Sequence, residues 1–378
     1  MEKGEWNIGQ KRFIMQLFYS SVSCIGIVAL LILEHIARKS DTMAVAHKRF
    51  FCLSIWVTII VMVSEIVTVF LEGAAASYRI PHIMGNVLGF ALSPLIPLLI
   101  GCAIGEFHKN SLILFGILPT LNLILTVLSA RFPIIFWVDA KNMYMRGNAF
   151  GVYVLAYSVA FVYLLAQTLL LTKCYQNSNR SIPLVLFFFV GFCATGQVIV
   201  PWLHISWLCV SFAIALYYMY YCDLVHQIDA LTGLLNRRTY EYNLHEIMSS
   251  DKAAIILFDV DDFKNANDMY GHPFGDYCLT AVSSCIKKAF FKIGLCFRIG
   301  GDEFCVIAKK ANRAAVERAY SRFLQEIELM RKAEARLPMV SIGYSFTGDK
   351  SESIMDAVFE ADQNMYRFKQ QRKKTVKF

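Results

Sequence analysis

The sequence predicts a two-part fold: an all-α transmembrane helix bundle over residues 1–222, then an α/β (α+β) domain over residues 223–378. Three observations carry this. Residues 1–222 hold 14 Lys+Arg and 8 Asp+Glu, whereas residues 223–378 hold 23 and 21. About a tenth of the first part is therefore charged against more than a quarter of the second, which is the ordinary soluble level. The overall 56% hydrophobic content and mean hydropathy of +0.47 average over two unlike halves. Apolar stretches of the ~20 residues that a bilayer core requires recur through the first part, and beyond residue 222 short apolar runs alternate with helical segments.

In the first part, candidate spans fall at 13–33, 50–71, 83–105, 111–129, 149–172, 182–200 and 203–222. Only Pro201 and its neighbours divide the last two, so the number is six or seven. The first is too long for a signal-peptide core, and Glu34-His35-Ile36-Ala37 offers no small-x-small cleavage site, so it reads as an uncleaved helix. With seven spans, seven Lys/Arg fall on each side of the membrane, and the positive-inside rule gives no orientation. Glu65, Asn122, Gln167 and Gln197 interrupt the apolar spans. Glu65 suits either a ligand pocket or helix pairing, or a carboxyl kept neutral by burial. Pro94, Pro97 and Pro119 predict kinks.

Net charge is +8, of which 2 lie in the second part. No basic stripe appears beyond Arg372, Lys373, Lys374 and Lys377, which argues against a nucleic-acid partner. The 11 cysteines divide seven and four, without a C-x-x-C pair, and read as packing residues.

In the second part the pattern predicts helices at 239–250, 262–269, 274–290, 312–336 and 352–371, and strands at 253–260, 294–299, 304–308 and 338–345. Gly300-Gly301-Asp302-Glu303 lies between two of the strands, and a glycine pair supplies the positive φ of a tight hairpin. Asp259 and Asp261 share one side of the first strand's end by period-2 alternation. If the hairpin is that strand's neighbour, its Asp302 and Glu303 join them, and such a cluster calls for hard divalent cations. Lys264, on the following turn, and Lys369, on the last helix, would meet phosphate oxygens. Acidic metal ligands beside lysines describe phosphoryl or nucleotidyl transfer. A solvated acidic loop is the plain alternative for Asp259–Asp262 alone, and the second acidic pair weighs against it.

Four ordered motifs resemble the GGDEF domain of diguanylate cyclases: Asp229-Ala230-Leu231-Thr232-Gly233-Leu234-Leu235-Asn236-Arg237-Arg238; Phe258 through Lys264 with Asn267 through Asp276; Arg298-Ile299-Gly300-Gly301-Asp302-Glu303-Phe304; and Ala361-Asp362-Gln363-Asn364-Met365-Tyr366-Arg367-Phe368-Lys369. The resemblance covers about residues 223–375 and implies a fold like the palm of polymerases and class III nucleotide cyclases. It implies condensation of two GTP to cyclic di-GMP with release of pyrophosphate. By position, Asp259, the carbonyl of Val260, Asp302 and Glu303 would hold two Mg²⁺ per site, with Mn²⁺ as a substitute. Asp302 or Glu303 would help deprotonate the attacking 3′-hydroxyl. Asn267 and Asp276 would read guanine with His272 between them, Lys264 and Lys369 would neutralise phosphate, and Gly300 and Gly301 would admit the nucleotide closely.

One GTP per site implies a homodimer through these domains. GTP chemistry implies a cytoplasmic C-terminal domain on a multi-pass membrane protein, with the bilayer and an unidentified sensed ligand as its other partners. Two departures stand out. Phe291-Lys292-Ile293-Gly294 occupies the place of an R-x-x-D product-inhibition site, predicting weak or absent inhibition there. Lys373 replaces a phosphate-binding Arg and lacks its bidentate geometry. A silent domain that binds GTP or a partner is the alternative reading; a transporter with a regulatory tail is the third, supported only by Glu65 and the kinks.

Overall fold

The computed structural model describes residues 8–105, 109–175, 181–199, 206–247, 252–310, 312–347 and 353–375. The chain divides into two compact units, Met1–Asp223 and Leu224–Phe378.

The first unit is built from α1 (Ile8–Lys39), α2 (Val45–Leu71), α3 (Arg79–Leu92), α4 (Leu95–Ile104), α5 (Lys109–Leu128), α6 (Phe150–Cys174), α7 (Ser181–Ile199) and all but the last three residues of α8 (Ser206–His226). Among the described residues, five helical segments are long and apolar enough to cross a membrane: Arg12–Lys39, Val45–Leu71, Ala76–Ile104, Phe150–Cys174 and Ser206–His226. The expected span at 111–129 is the shorter apolar helix Ile113–Leu128. That at 182–200 coincides with α7, and Pro201 and the side chain of Gln197 lie outside the described residues.

The break between α3 and α4 falls at Ser93-Pro94. Proline has no N–H to give the carbonyl four residues earlier, and the Asn122 amide from α5 donates to that carbonyl, on Phe90, at 2.8 Å. Gln167 packs against Gly105, where an added Cβ would lie 2.1 Å from its Oε1. Two of the intramembrane polar residues thus have structural work.

The sequence pattern gave no strand in this unit, yet β1 (Phe136–Val138) and β2 (Tyr144–Arg146) form an antiparallel hairpin between α5 and α6. Asn142 turns it with a left-handed φ of 60°. Asn142 is fully buried: its Nδ2 donates to the Leu71 carbonyl at 2.7 Å, its Oδ1 lies 2.9 Å from His82 Nδ1, and its carbonyl accepts from Gly73 N at 2.8 Å. Three residues per strand are too few for period-2 alternation to register in the sequence.

The second unit contains α9 (Arg237–His245), β3 (Ala253–Val260), α10 (Phe263–Tyr270), α11 (His272–Phe290), β4 (Leu295–Arg298), β5 (Glu303–Lys309), α12 (Arg313–Ala333), β6 (Val340–Phe346) and α13 (Ile354–Thr375). The sheet order is β4-β5-β3-β6, with every pairing antiparallel, so the α+β form of the expected fold is the one adopted.

Alternate residues of β3 serve two cores. Ala254, Ile256, Phe258 and Val260 pack with Val282, Ile286 and Phe290 of α11 and Phe323 of α12. Ala253, Ile255 and Leu257 pack with Leu244 of α9 and Ala357 and Ala361 of α13. A strand covered on both faces needs apolar side chains at successive positions, each large one contributing about 1.5–3 kcal/mol.

Candidate active site

The odd-numbered face of β3 carries Ala253, Ile255 and Leu257 into the core beneath α13, and Asp259 continues that series at the strand's end. On β5 the residue directly opposite Asp259 is Glu303, and on β6 it is Ser341. Asp261, two residues on, accepts from Ser341 Oγ at 2.8 and 3.0 Å. The Lys369 ammonium of α13 donates to Asp259 Oδ1 and stands 3.5 Å from Asp261 Oδ1.

Gly343 brings Lys369 there. A Cβ on Gly343 would lie 2.2 Å from both the Ala361 carbonyl and the Met365 amide, so α13 rests its backbone directly on β6. Lys369, one turn beyond Met365, then reaches the strand end.

The charges respond to this crowding. Burial, and then the charges of Asp302, Asp259 and Asp362, raise the Glu303 carboxyl above its ordinary value, with Arg237 opposing them. Burial likewise raises Asp261, against the Ser341 hydrogen bond and Lys369. Burial alone would lower Lys369, but its contacts with Asp259 and Asp261 prevail and raise it.

The turn between β4 and β5 is fixed at both ends. Ile299 N and Gly300 N donate to the Glu303 carbonyl at 3.0 and 3.3 Å, and Val260 N donates to the Asp302 carbonyl at 3.1 Å. Arg298 Nη2 donates to the Gly301 carbonyl at 2.8 Å, while its Nη1 holds Asp229 at 3.1 and 3.2 Å. Asp229 Oδ1 also accepts from the Thr232 amide and hydroxyl. Partial burial would raise the Asp229 carboxyl, but the Thr232 and Arg298 contacts outweigh it and lower it.

The expected positive φ at Gly300 and Gly301 is not found: the positive-φ glycines among the described residues are Gly73, Gly233 and Gly271. The first glycine serves proximity instead. A Cβ on Gly300 would lie 2.5 Å from Glu303 Oε2, whereas one on Gly301 would meet open space.

Of the expected nucleotide-binding residues, Lys264, Asn267, His272 and Asp276 lie on α10 and α11, whereas Lys369 is on α13 and Gly300 and Gly301 are in the turn between β4 and β5. Gly271, with φ 81°, ends α10 and donates to the Asn267 carbonyl at 2.8 Å. The Asn267 amide lies against Gly275, where a Cβ would be 1.9 Å from Oδ1, beside Asp276. His272 opens α11, and both His272 and Asp276 are exposed. Lys264 is exposed in the first turn of α10, rather than on a free turn, and lies one helical turn before Asn267. The side chain of Lys373 lies outside the described residues.

Among the described residues, no three His, Cys, Asp or Glu side chains already meet as a metal cluster. The donors at the sheet end are nonetheless hard oxygens, the carboxylates of Asp259, Asp302 and Glu303, and these suit Mg²⁺ or Mn²⁺. Val260 is 1% exposed with its side chain in the core, so only its main chain is available to a ligand. The sequence reading placed Asp261 beside Asp259 in the acidic cluster but left its partner Ser341, Gly343 and the Asp229–Arg298 pair out of the site. Asp261 and Arg298 were visible within the motifs, but their partners are contacts distant in sequence.

The family described as "Diguanylate cyclase, GGDEF domain" matches residues 226–375. Diguanylate cyclase DgcS of Shewanella oneidensis is 32% identical over 149 residues, covering 37% of this chain and 49% of its own length. Cyclic di-GMP phosphodiesterase PdeR of Escherichia coli is 32% identical over 151 residues, covering 38% and 22%. The chain therefore spans less than half the length of these curated relatives. Among solved structures, a sensory box/GGDEF family protein from Caulobacter crescentus is 28% identical with a TM-score of 0.30, covering 38% of this chain and 99% of that one. The second unit is a GGDEF domain with diguanylate cyclase homologues, preceded in the chain by several long apolar helices.

Proposed function

We propose that this chain is a membrane-anchored diguanylate cyclase that condenses two GTP to cyclic di-GMP and two pyrophosphates, under control of a signal received by its helical part. The observation that carries the proposal is the opposition of Asp259 and Glu303 across β3 and β5, with the Lys369 ammonium on Asp259. This supports reading the carboxylates as metal ligands and the ammonium as a phosphate contact.

Asp259, Asp302, Glu303 and the Val260 carbonyl would hold the divalent ions, which would screen triphosphate charge. Glu303, its carboxyl raised by burial and by the nearby acidic charges, accepts the proton of one GTP's 3′-hydroxyl. That oxygen bonds to the α-phosphorus of the second GTP, and the bond to pyrophosphate breaks. The same exchange in the other direction closes the ring. Asp276 and Asn267 pair with the guanine edge; a carboxylate accepting from N1–H and N2–H₂ disfavours adenine. Gly301 leaves room for the nucleotide, and Lys264 and Lys369 neutralise phosphate. Because each domain holds one GTP, turnover requires two domains face to face, with the helices in the membrane and the second unit in the cytoplasm, where GTP is available.

Incubation of the detergent-solubilised full chain with GTP and Mg²⁺ tests this against an Asp302→Ala, Glu303→Ala double variant. Cyclic di-GMP from the parent and none from the variant is expected; no product from the parent under any dimerising condition overturns it. Product-free GTP binding would instead establish the silent, GTP-binding alternative, which is kept open by the phosphodiesterase among the relatives.

A further inference from the structure

The GGDEF domain also carries a groove of about 510 Å³ between α12, the outer edge of β6 and α13. Among the described residues β6 is the last strand of the sheet, so this side of it faces none of the other described strands. The α13 residues lining the groove are Glu360, Asn364, Arg367, Phe368 and Gln371. The spacing of four, three and four puts the polar four on one helix flank, about half a turn away from the flank of Lys369 that faces Asp259; Asp259, Asp261 and Lys369 do not line the groove. The groove is therefore separate from the acidic sheet end.

Its chemistry is aromatic and cationic. Tyr320 and Tyr344 have ring centroids 5.7 Å apart, and Tyr344 and Phe346 5.9 Å, forming a row of three rings. The Arg313 guanidinium lies 4.6 Å over Phe346 and ends the row. Arg313 also opens the 21-residue α12, whose N-terminal dipole adds positive potential. Arg367 lines the groove and makes no hydrogen bond or ion pair among the described residues. Asn364 gives Nδ2 to the Tyr344 carbonyl at 3.0 Å, keeping Oδ1 as an acceptor. Against the two arginines stands one carboxylate, Glu360.

Aromatic rings and arginine planes stack on nucleobases, guanidinium groups bind phosphate, and the volume lies in the range of small-ligand sites. We propose that this groove is a second nucleotide site. It takes a purine nucleotide phosphate, with the base against the Tyr344–Phe346 row and the phosphate between Arg313 and Arg367. The proposal rests on the cyclase reading only for its choice of probes.

Labelled cyclic di-GMP, GTP and ATP are titrated by fluorescence anisotropy against the detergent-solubilised full chain, an Arg313→Ala, Arg367→Ala double variant and Tyr344→Leu. At least one nucleotide is expected to bind the parent and to weaken about tenfold or more in both variants, as lost charge-assisted contacts and stacking imply. Turnover without added product is expected to stay within about twofold of the parent. Inorganic triphosphate competing as well as the nucleotide would overturn base recognition. Unchanged binding in the double variant, or no binding by any of the three probes, would overturn the site. If the parent lacks turnover while groove-dependent binding persists, the cyclase reading falls and the groove stands; normal turnover with indifferent groove variants gives the reverse.

Discussion

Asp259 on β3 and Glu303 on β5 are direct cross-strand partners on the face covered by α13. Like charges at opposed positions destabilise a sheet, and Asp259 adds to the burial and the Asp302 charge that raise the Glu303 carboxyl.

Glu303→Gln should therefore stabilise the ligand-free chain at neutral pH. A carboxyl whose folded pKa exceeds the ordinary 4.5 costs stability once pH rises through the raised value, and costs nothing below the ordinary one. The melting-temperature gain of the variant should shrink to zero as pH falls past the ordinary value. A gain independent of pH would contradict this.

Gly343→Ala should lower GTP turnover without touching any ligand-binding side chain. Its Cβ would meet α13 backbone at 2.2 Å, and the helix must lift, carrying Lys369 with it. Overpacking of this kind costs about 1–3 kcal/mol, readable by thermal denaturation, and the turnover loss should exceed what the unfolded fraction explains.

Arg298→Ala should loosen the turn that holds Asp302, since one guanidinium grips both Gly301 and Asp229. Losing charge-assisted bonds in this partly buried place costs about 1.5–3 kcal/mol. Asp229→Asn should show a related loss with a pH signature. A carboxyl lowered below the ordinary 3.8 stabilises above that value, and the benefit disappears as pH falls through the lowered one. The two proteins should converge in acid.

Writing Phe291→Arg and Gly294→Asp into the chain should fail to create a product-binding site. A Cβ at Gly294 would lie 2.7 Å from the Ile307 carbonyl and 3.1 Å from the Ala308 Cα, leaving no room for the carboxylate. Reduced stability without gained inhibition by cyclic di-GMP is expected; restored inhibition would show that β5 yields.

Asn142→Ala should destabilise the helical unit by about 1–3 kcal/mol, the cost of leaving buried partners unmet. Detergent melting curves check it. Leu71 and His82 both lose a partner, and alanine is also disfavoured at φ 60°.

The sheet was legible because β3 announces itself: six apolar and small residues, Ala253 through Phe258, run up to Asp259 and Asp261, matched by strand bounds of Ala253–Val260. Pro94 likewise marked the α3–α4 break. What the sequence hid were contacts that depend on absent atoms. Gly300, Gly275 and Gly343 each make room for a particular group, the Glu303 carboxyl, the Asn267 amide and the α13 backbone. A glycine in a string of letters does not say whether it frees a dihedral or vacates a volume. The hairpin at Asn142 escaped for another reason: its register is set by residues sixty to seventy positions away.

The Lys369 ammonium on Asp259 has a consequence for biosynthesis. α13 is the final element of the domain in chain order, so during translation β3, β5 and β6 emerge before the charge that balances their acidic ends. A nascent domain halted short of Lys369 would leave Asp259 and Asp261 without their ammonium partner, with Arg237 of α9 the basic group already in place beside Glu303.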